Sequence, residues 1–254
     1  FDVKVDIKKG PREIVEILES FNRMVDELKE NEMFKRDFIN NFSHEFKTPI
    51  NAIEGYSTLL QGSEALRRRD REYVDKIMLN TQRLSSLVGS ILLLSKLENQ
   101  QIFPRHEEYD LSGQLCESLL QFEDAWEKKN LEIETDIAEG VRIKSDPELL
   151  SLVWSNLISN AVKFSPAGGV LTVSLRQEGQ QVFCSVTDRG PGMSQDVQRH
   201  IFDKFYQADS SHKQEGNGLG LALVKRILTI EKGQISAENI PEGGCRFTVT
   251  LRGK

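Results

Sequence analysis

The sequence predicts a protein of two parts, a helical hairpin followed by a two-layer α/β sandwich. Apolar residues recur at helical spacing over roughly residues 14–53 and 73–94. After about residue 103, short alternating strand patterns and helical patterns are mixed, which is typical of a sheet covered by helices. At 254 residues the chain is long enough for about two domains.

The composition is that of a soluble protein, with 38% hydrophobic and 28% charged residues. No apolar run approaches the ~18 residues of a membrane span, and no signal peptide is visible. The net charge of −6 argues against a nucleic-acid partner. Each of the three cysteines lies in an apolar pattern, so we expect buried, reduced thiols and a reducing cytoplasm.

The predicted hairpin begins after Gly10-Pro11, and its first helical pattern runs without a breaker through Phe46. A polar stretch over 61–70 precedes a second helix, in which apolar positions alternate in steps of four and three. One hairpin cannot bury both apolar stripes. We therefore expect two copies to form a dimeric four-helix bundle.

The second part contains several clear element boundaries. Asp110 is predicted to cap a helix that runs as far as Trp126, and Asp146-Pro147 starts a helix to Phe164. Ser194 is predicted to cap a helix to about Phe205. A further helix is expected over 219–231, and strands over 131–137, 141–144, 170–176, 181–187, 234–238 and 245–251.

A histidine stands out in the stretch NNFSHEFKTPINAI, residues 40–53. On a helix, His44 points away from the apolar face, and Glu45 lies beside it. A largely neutral imidazole can attack an electrophile, and a carboxylate can accept its other ring proton. Pro49 should bend the helix just below this site. The alternative is a surface histidine without a role.

Two asparagines lie four residues apart in the helix after Pro147. Asn156 and Asn160 share one face, and amide oxygens suit Mg²⁺, a cation that prefers oxygen ligands. Lys163 is a candidate charge for a phosphate. Taken alone, the pair could equally be two polar residues on a solvated helix.

Two glycine-rich loops complete the pattern. In TDRGPGM, Gly190 and Gly192 allow a flat ring to approach the backbone, and Asp188 can accept a hydrogen bond from an adenine amino group. In EGNGLGLALVK, residues 215–225, the loop opens a helix, so that free amides face an anion. The second loop is neither a Walker motif nor a Rossmann fingerprint.

These motifs, in this order, resemble those of the sensor histidine kinases of two-component systems. FSHEFKTPI resembles the H-box, NLISNAVKFS the N-box, DRGPGM the G1 box, IFDKFYQ the F-box and GNGLGLAL the G2 box. The resemblance implies a partial HAMP linker over 1–32, a HisKA-type dimerisation and phosphotransfer hairpin over 33–102, and a GHKL (Bergerat) ATP-binding domain over 103–254.

The resemblance also implies roles for single residues. His44 would be the phosphoacceptor, Glu45 its acid–base partner, and Thr48 would orient water for dephosphorylation of a response regulator. Asn156 and Asn160 would hold Mg²⁺, and residues 207–217 would form a lid over ATP. The implied ATP-binding residues are Asn156, Asn160, Lys163, Phe164, Asp188, Gly190, Gly192, Phe205, Gly216, Gly218, Leu219, Gly220 and Leu221.

The chain departs from the family pattern at two positions. Gln207 stands where many relatives have an arginine that is proposed to contact the γ-phosphate, and Lys204, Arg199 or Lys213 could replace it. Asn217 replaces a common threonine, and its amide can still bind a phosphate.

The function implied is ATP-dependent autophosphorylation of His44, followed by transfer to an aspartate of a response regulator and phosphatase activity toward that regulator. The implied partners are a second copy and a receiver domain, with no nucleic acid. Contact with a membrane would come only through an upstream part absent from this chain, which would then be the cytoplasmic portion of a membrane receptor. The alternatives are a GHKL-type ATPase and a non-enzymatic dimeric scaffold. Such ATPases typically have a glutamate at the position of Asn156, so the sequence favours transfer over hydrolysis.

Overall fold

The computed structural model describes Leu18 and residues 50–58, 60, 68–99, 101–207 and 217–253. It divides into two compact units, Phe1–Ser95 and Lys96–Lys254. His44, Glu45, Thr48, Lys213, Gly216 and most of the predicted lid lie outside the described residues. So do the segment 1–17 and nearly all of the first predicted helix.

Two helical segments are described in the first unit. Residues 50–58 are helical, and helix α1 (Arg68–Glu98) begins there and ends just inside the second unit. The predicted second helix of the hairpin is therefore confirmed.

Helix α1 carries two heptad stripes that are offset by one residue. The stripe that contains Val74, Thr81 and Ser95 is largely buried within the chain. The predicted seam is instead mostly exposed, at Tyr73, Ile77, Leu84 and Ile91, although Leu94 at its end is buried. Large apolar side chains at helical spacing on an open face are typical of an interface.

By length and composition alone, α1 could also cross a membrane, since it includes an 18-residue window of mean hydropathy 1.3 within Asp70–Glu98. The helix also contains Asp75, Lys76 and Arg83. Its apolar residues follow heptad steps, so packing on other helices explains the pattern better than lipid contact does.

The second unit is a two-layer α/β sandwich, as predicted. Its described elements after α1 are β1 (Glu107–Asp110), α2 (Leu111–Leu120), α3 (Glu123–Lys128), β2 (Glu132–Ile137), β3 (Arg142–Ser145), α4 (Pro147–Phe164), β4 (Val170–Glu178), β5 (Gln181–Asp188), α5 (Gln195–His200), α6 (Gly220–Ile230), β6 (Gln234–Asn239) and β7 (Cys245–Arg252).

One main sheet supports the helical layer. Its strand order is β2-β4-β5-β7-β6, with β2 parallel to β4 and the other neighbours antiparallel. Strands β1 and β3 form a separate antiparallel pair. Helix α4 packs against α2, α6 and β5, and its Trp154, Leu157 and Ile158 are fully buried. This packing fixes α4 and α6 side by side.

The helix starts follow the predicted caps. Asp146 Oδ1 accepts a hydrogen bond from Leu149 N at 3.1 Å, and Pro147 occupies the first turn of α4. Asp110 caps α2 and Ser194 caps α5 in the same way. Each cap satisfies an amide that has no partner inside the helix.

Two predicted helices are shorter than expected. The helix after Asp110 ends at Leu120, and Trp126 belongs to the separate helix α3. The helix after Ser194 ends at His200, because Asp203 N turns back to His200 O at 2.8 Å and Phe205 takes a left-handed backbone conformation, φ +63°.

The expectation for the cysteines holds at two of the three positions. Cys184 and Cys245 are buried, and burial raises the pKa of both thiols, that of Cys245 to about 11. Cys116 is exposed, because it lies on the outer face of α2 whereas Leu115 and Leu119 lie on its buried face.

Candidate nucleotide-binding site

The two asparagines on α4 face the start of α6. Asn156 Nδ2 donates to Leu152 O at 2.7 Å, which leaves its Oδ1 turned outward from the helix. A Cβ atom placed on Gly220 would lie 2.5 Å from that Oδ1. The glycine therefore lets the first turn of α6 approach Asn156, and Asn160 lies one turn further along α4.

The donor set fits Mg²⁺. Mg²⁺ is usually held by one or two protein oxygens together with substrate phosphates and water, rather than by a cage of protein ligands. Asn156 and Asn160 offer two amide oxygens on one helix face. Within the part of the chain that the structure describes, no group of three His, Cys, Asp or Glu side chains could hold a metal ion.

Asp188 lies at the end of β5 and is almost fully buried, with 3% of its surface exposed. Its Oδ1 accepts a hydrogen bond from Gly190 N at 2.8 Å. Burial raises the pKa of this carboxyl, and the backbone N–H groups of Gly190 and Cys245 oppose that rise. A buried acceptor at the base of a loop is suited to recognising a donor on a ligand.

Gly190 is needed for a reason that differs from the one the sequence indicated. A Cβ there would lie 2.7 Å from Asp188 Oδ1 and 2.8 Å from Phe164 O. The close approach that excludes a side chain is thus with the protein itself. The loop after β5 therefore packs against the end of α4, and Gly190 lies between Asp188 and Phe164.

Asn239 and Gly244 also support the site, and neither was predicted from the sequence. Asn239 Oδ1 accepts from Met193 N at 2.8 Å, and its Nδ2 donates to Met193 O at 2.7 Å, so the residue holds the loop that contains Gly192. A Cβ on Gly244 would overlap Asp188 O. Asn239 lies 46 residues along the chain from Met193, so no local pattern could show this contact.

The second glycine loop packs on the segment after α5. Phe205 N donates to Gly218 O at 2.8 Å, and a Cβ on Gly218 would lie 2.6 Å from the Phe205 carbonyl carbon. Gly218 has φ +67°, a conformation that glycine adopts without strain. Leu219 is buried, and α6 begins at Gly220, with Leu221 in its first turn. The first amides of α6 have no partner within the helix, and a helix end of this kind favours an anion.

The end of α4 is held by a lysine that was also missed. Lys129 Nζ donates to Val162 O, Lys163 O and Ser165 O at 2.8, 2.7 and 3.1 Å. These bonds satisfy carbonyls in and just after the last turn of α4, where Lys163 lies with its Nζ 4.6 Å from the centre of the Phe164 ring. Lys129 therefore positions Lys163 and Phe164 for the site.

Three pairs of predicted residues are thus brought together: Asn156 with Gly220, Asp188 with Gly190, and Phe205 with Gly218. Lys204, a candidate phosphate ligand, pairs instead with Glu98 at 2.6 Å. Asn217 Oδ1 accepts from Leu219 N at 3.3 Å and so shapes the loop itself.

Two family models match the chain. Residues 34–100 match the His Kinase A (phospho-acceptor) domain, and residues 145–254 match the histidine kinase-, DNA gyrase B- and HSP90-like ATPase. The first includes His44, and the second covers all the candidate nucleotide residues.

Individual relatives agree with these matches. The sensor-like histidine kinase SenX3 of Mycobacterium bovis is 31% identical over 222 residues, 87% of this chain and 54% of the relative. The heme sensor protein HssS of Staphylococcus saprophyticus is 34% identical over 233 residues, 91% of this chain and 50% of the relative. The chain therefore spans about half the length of the curated relatives it matches.

Among solved structures, full-length ShkA in complex with AMPPNP superposes with a TM-score of 0.74 at 28% identity, and covers 85% of this chain and 46% of that one. The order of motifs, the α/β sandwich and both family models lead to one assignment. The chain belongs to the sensor histidine kinases, with a His Kinase A domain followed by an ATPase domain of the gyrase B and HSP90 type.

Proposed function

We propose that this chain phosphorylates itself on His44 from Mg²⁺-ATP and passes the phosphoryl group to an aspartate of a response regulator. The observation that carries the proposal is the meeting of Asn156 with Gly220, which puts an outward amide oxygen beside the anion-binding end of α6. Phosphoryl transfer needs positioning and neutralisation of charge more than covalent chemistry from the protein.

The residues of the second unit divide this work. Asp188 accepts a hydrogen bond from the adenine amino group, and the amides at the start of α6 bind phosphate. When bound, Mg²⁺ would supply charge neutralisation, and Asn156 and Asn160 would hold it. Lys163 contacts the phosphates, and Phe164, Phe205, Gly192, Gly216, Leu219 and Leu221 shape the pocket.

The same proposal extends to the rest of the chain. Residues 1–32 form part of a HAMP linker, 33–102 the dimerisation and phosphotransfer hairpin, and 103–254 the catalytic domain. Two copies pair through the exposed seam of α1, and the chain is the cytoplasmic portion of a membrane receptor.

A competing function is ATP hydrolysis without transfer. A hydrolase of this fold needs a base that activates water, and the position that carries it in related ATPases is Asn156 here. An amide cannot accept the proton of the attacking water. With no base at that position, bound ATP persists until an imidazole reaches it.

Labelling with γ-labelled Mg²⁺-ATP tests the proposal. The chain should gain phosphate that is labile in acid and stable in base, and His44→Gln should abolish it while nucleotide binding persists. His106→Gln is the matched control and should label normally. Label that survives in His44→Gln would refute the assignment.

Thr48 is assigned to the reverse reaction on the regulator. Its hydroxyl would orient the water that attacks the phosphoaspartate, so Thr48→Ala should retain autophosphorylation and lose phosphatase activity. Equal loss of both activities would show that Thr48 has a different role.

A further inference from the structure

Inside the second unit, hydrogen bonds join the last turn of α1 to α6, the helix that follows the second glycine loop. Arg226, on α6, donates to Leu97 O through Nε at 3.2 Å and through Nη2 at 2.7 Å, and to Glu98 O at 3.4 Å. A cation at the carboxyl end of a helix also compensates the negative end of its dipole. Arg226 thus holds Glu98 at a fixed place relative to α6.

Glu98 in turn binds the segment that packs on the second glycine loop. Its Oε1 lies 2.6 Å from Lys204 Nζ, and the two side chains remain 39% and 50% exposed. An exposed pair of this kind contributes little to stability and exchanges readily for another partner. The contact therefore occupies the ammonium of Lys204 without fixing it permanently.

The backbone of Lys204 lies beside the second glycine loop. The residue that follows it, Phe205, donates its amide proton to Gly218 O at 2.8 Å, so the Lys204 backbone adjoins the loop that opens α6. Lys204 is also the single cation in the segment 201–207. Phosphate oxygens at the start of α6 would compete directly with the Glu98 carboxylate for this ammonium.

We propose that Lys204 is a phosphate-binding residue whose ammonium exchanges between Glu98 and the terminal phosphate of ATP. This inference rests on the proposed binding of ATP at the second unit, and it does not depend on transfer to His44. On this proposal, the terminal phosphate of ATP and the Glu98 carboxylate at the end of α1 compete for the Lys204 ammonium. By reciprocity, weakening the Glu98 contact must strengthen ATP binding to the same degree.

The test is a double-mutant cycle on the affinity of the full chain for Mg²⁺-AMPPNP, measured by calorimetry at constant salt. Lys204→Met should weaken binding about ten-fold, since a charge-assisted bond to phosphate is lost. Glu98→Gln should strengthen it about two- to five-fold, the scale of an exposed ion pair. In the Lys204→Met background, Glu98→Gln should have no effect, and Lys204→Arg should largely restore affinity.

Two controls test whether the effect is specific to this ion pair and to the terminal phosphate. Asp136→Asn removes an equally short exposed pair, Arg176 Nη2–Asp136 Oδ2 at 2.6 Å on strands β2 and β4, and should leave AMPPNP affinity unchanged. Mg²⁺-ADP, which lacks the terminal phosphate, should be much less sensitive to Lys204→Met than AMPPNP.

The inference is overturned if Lys204→Met binds AMPPNP as the unaltered chain does, or if Glu98→Gln strengthens binding equally in both backgrounds. Because AMPPNP does not transfer its phosphoryl group, the cycle is independent of His44. Normal Lys204 coupling without phosphohistidine would refute the proposed kinase activity alone. Phosphohistidine without Lys204 coupling would refute this inference alone.

Discussion

Helices α1 and α4 differ in how they cover their apolar residues. On α4 a continuous apolar face, from Leu149 to Val162, is buried within one chain. On α1 the seam at Tyr73, Ile77, Leu84 and Ile91 remains open among the described residues. The second unit thus completes its own core, whereas the seam of α1 would be covered only in the proposed dimer. The stability of the second unit is then a property of the single chain, and that of the dimer would depend on protein concentration.

Charged residues placed in the seam of α1 should have the largest effect, a loss of dimerisation. Ile77 and Leu84 are 47% and 42% exposed, and a dimer would bury these two side chains in both chains. Ile77→Glu with Leu84→Glu should weaken dimerisation by about 5 kcal/mol, since burial of apolar surface is lost and charges are forced together. Analytical ultracentrifugation should show a monomer.

Gln82→Glu is the matched control for the seam, because Gln82 is exposed and lies on a different side of α1. It should leave the dimer intact. If the doubly charged variant still sediments as a dimer, the seam is not the interface.

Shortening a side chain in the core of the second unit should have the second-largest effect, a loss in the free energy of unfolding. Leu157 is fully buried on α4, so Leu157→Ala should lower the free energy of unfolding of that unit by about 3 kcal/mol through the cavity it leaves. Urea denaturation monitored by tryptophan fluorescence measures this, because Trp126 and Trp154 both lie in the second unit. The loss should be independent of protein concentration, and a concentration-dependent loss would contradict the claim that this unit folds by itself.

Removal of the hydrogen bonds that Lys129 makes to the end of α4 should lower the free energy of unfolding by less than Leu157→Ala does. Lys129→Met keeps the aliphatic stem but removes the three donors to the end of α4, and should lower the free energy of unfolding by about 2 kcal/mol. Nucleotide affinity should fall as well, because Lys163 and Phe164 lie in the same turn. Lys128→Met, at an exposed neighbouring position, is the control, and an equal effect there would exclude a capping role.

The smallest effect concerns pH. Burial raises the pKa of Asp188 in the folded state, so above about pH 4 the unfolded chain releases this proton more readily than the folded one. Stability should therefore fall as pH rises through the interval between the two pKa values, and then level off. Asp188→Asn lacks this term and should gain stability relative to the unaltered chain over the same interval. Urea titrations from pH 4 to 7 measure the difference, and a constant difference would contradict the raised pKa.

The sequence predicted those features that rest on neighbouring residues. Asp146-Pro147 marks the start of α4 because the cap and the first turn are adjacent in the chain. The heptad steps of α1 and the grouping of Asp188 with Gly190 are also local. The order of motifs then sufficed to predict the sandwich and the family.

The features that were missed depend on contacts between distant segments. Asn239 supports the first glycine loop across 46 residues, and Lys129 caps α4 across about 34. No glycine or proline marks the end of α2 at Leu120. The chain turns there and leads to Lys129, whose contact with α4 is a long-range one. Such contacts are fixed only when the sheet and helices assemble.

The fate of the γ-phosphoryl group in a single turnover of Mg²⁺-ATP distinguishes transfer to His44 from hydrolysis. With protein in excess over labelled ATP, we expect the label to appear first on His44, and little free phosphate to form before a receiver domain is added. Release of the label as inorganic phosphate, with no phosphorylated His44 at any time, would contradict it.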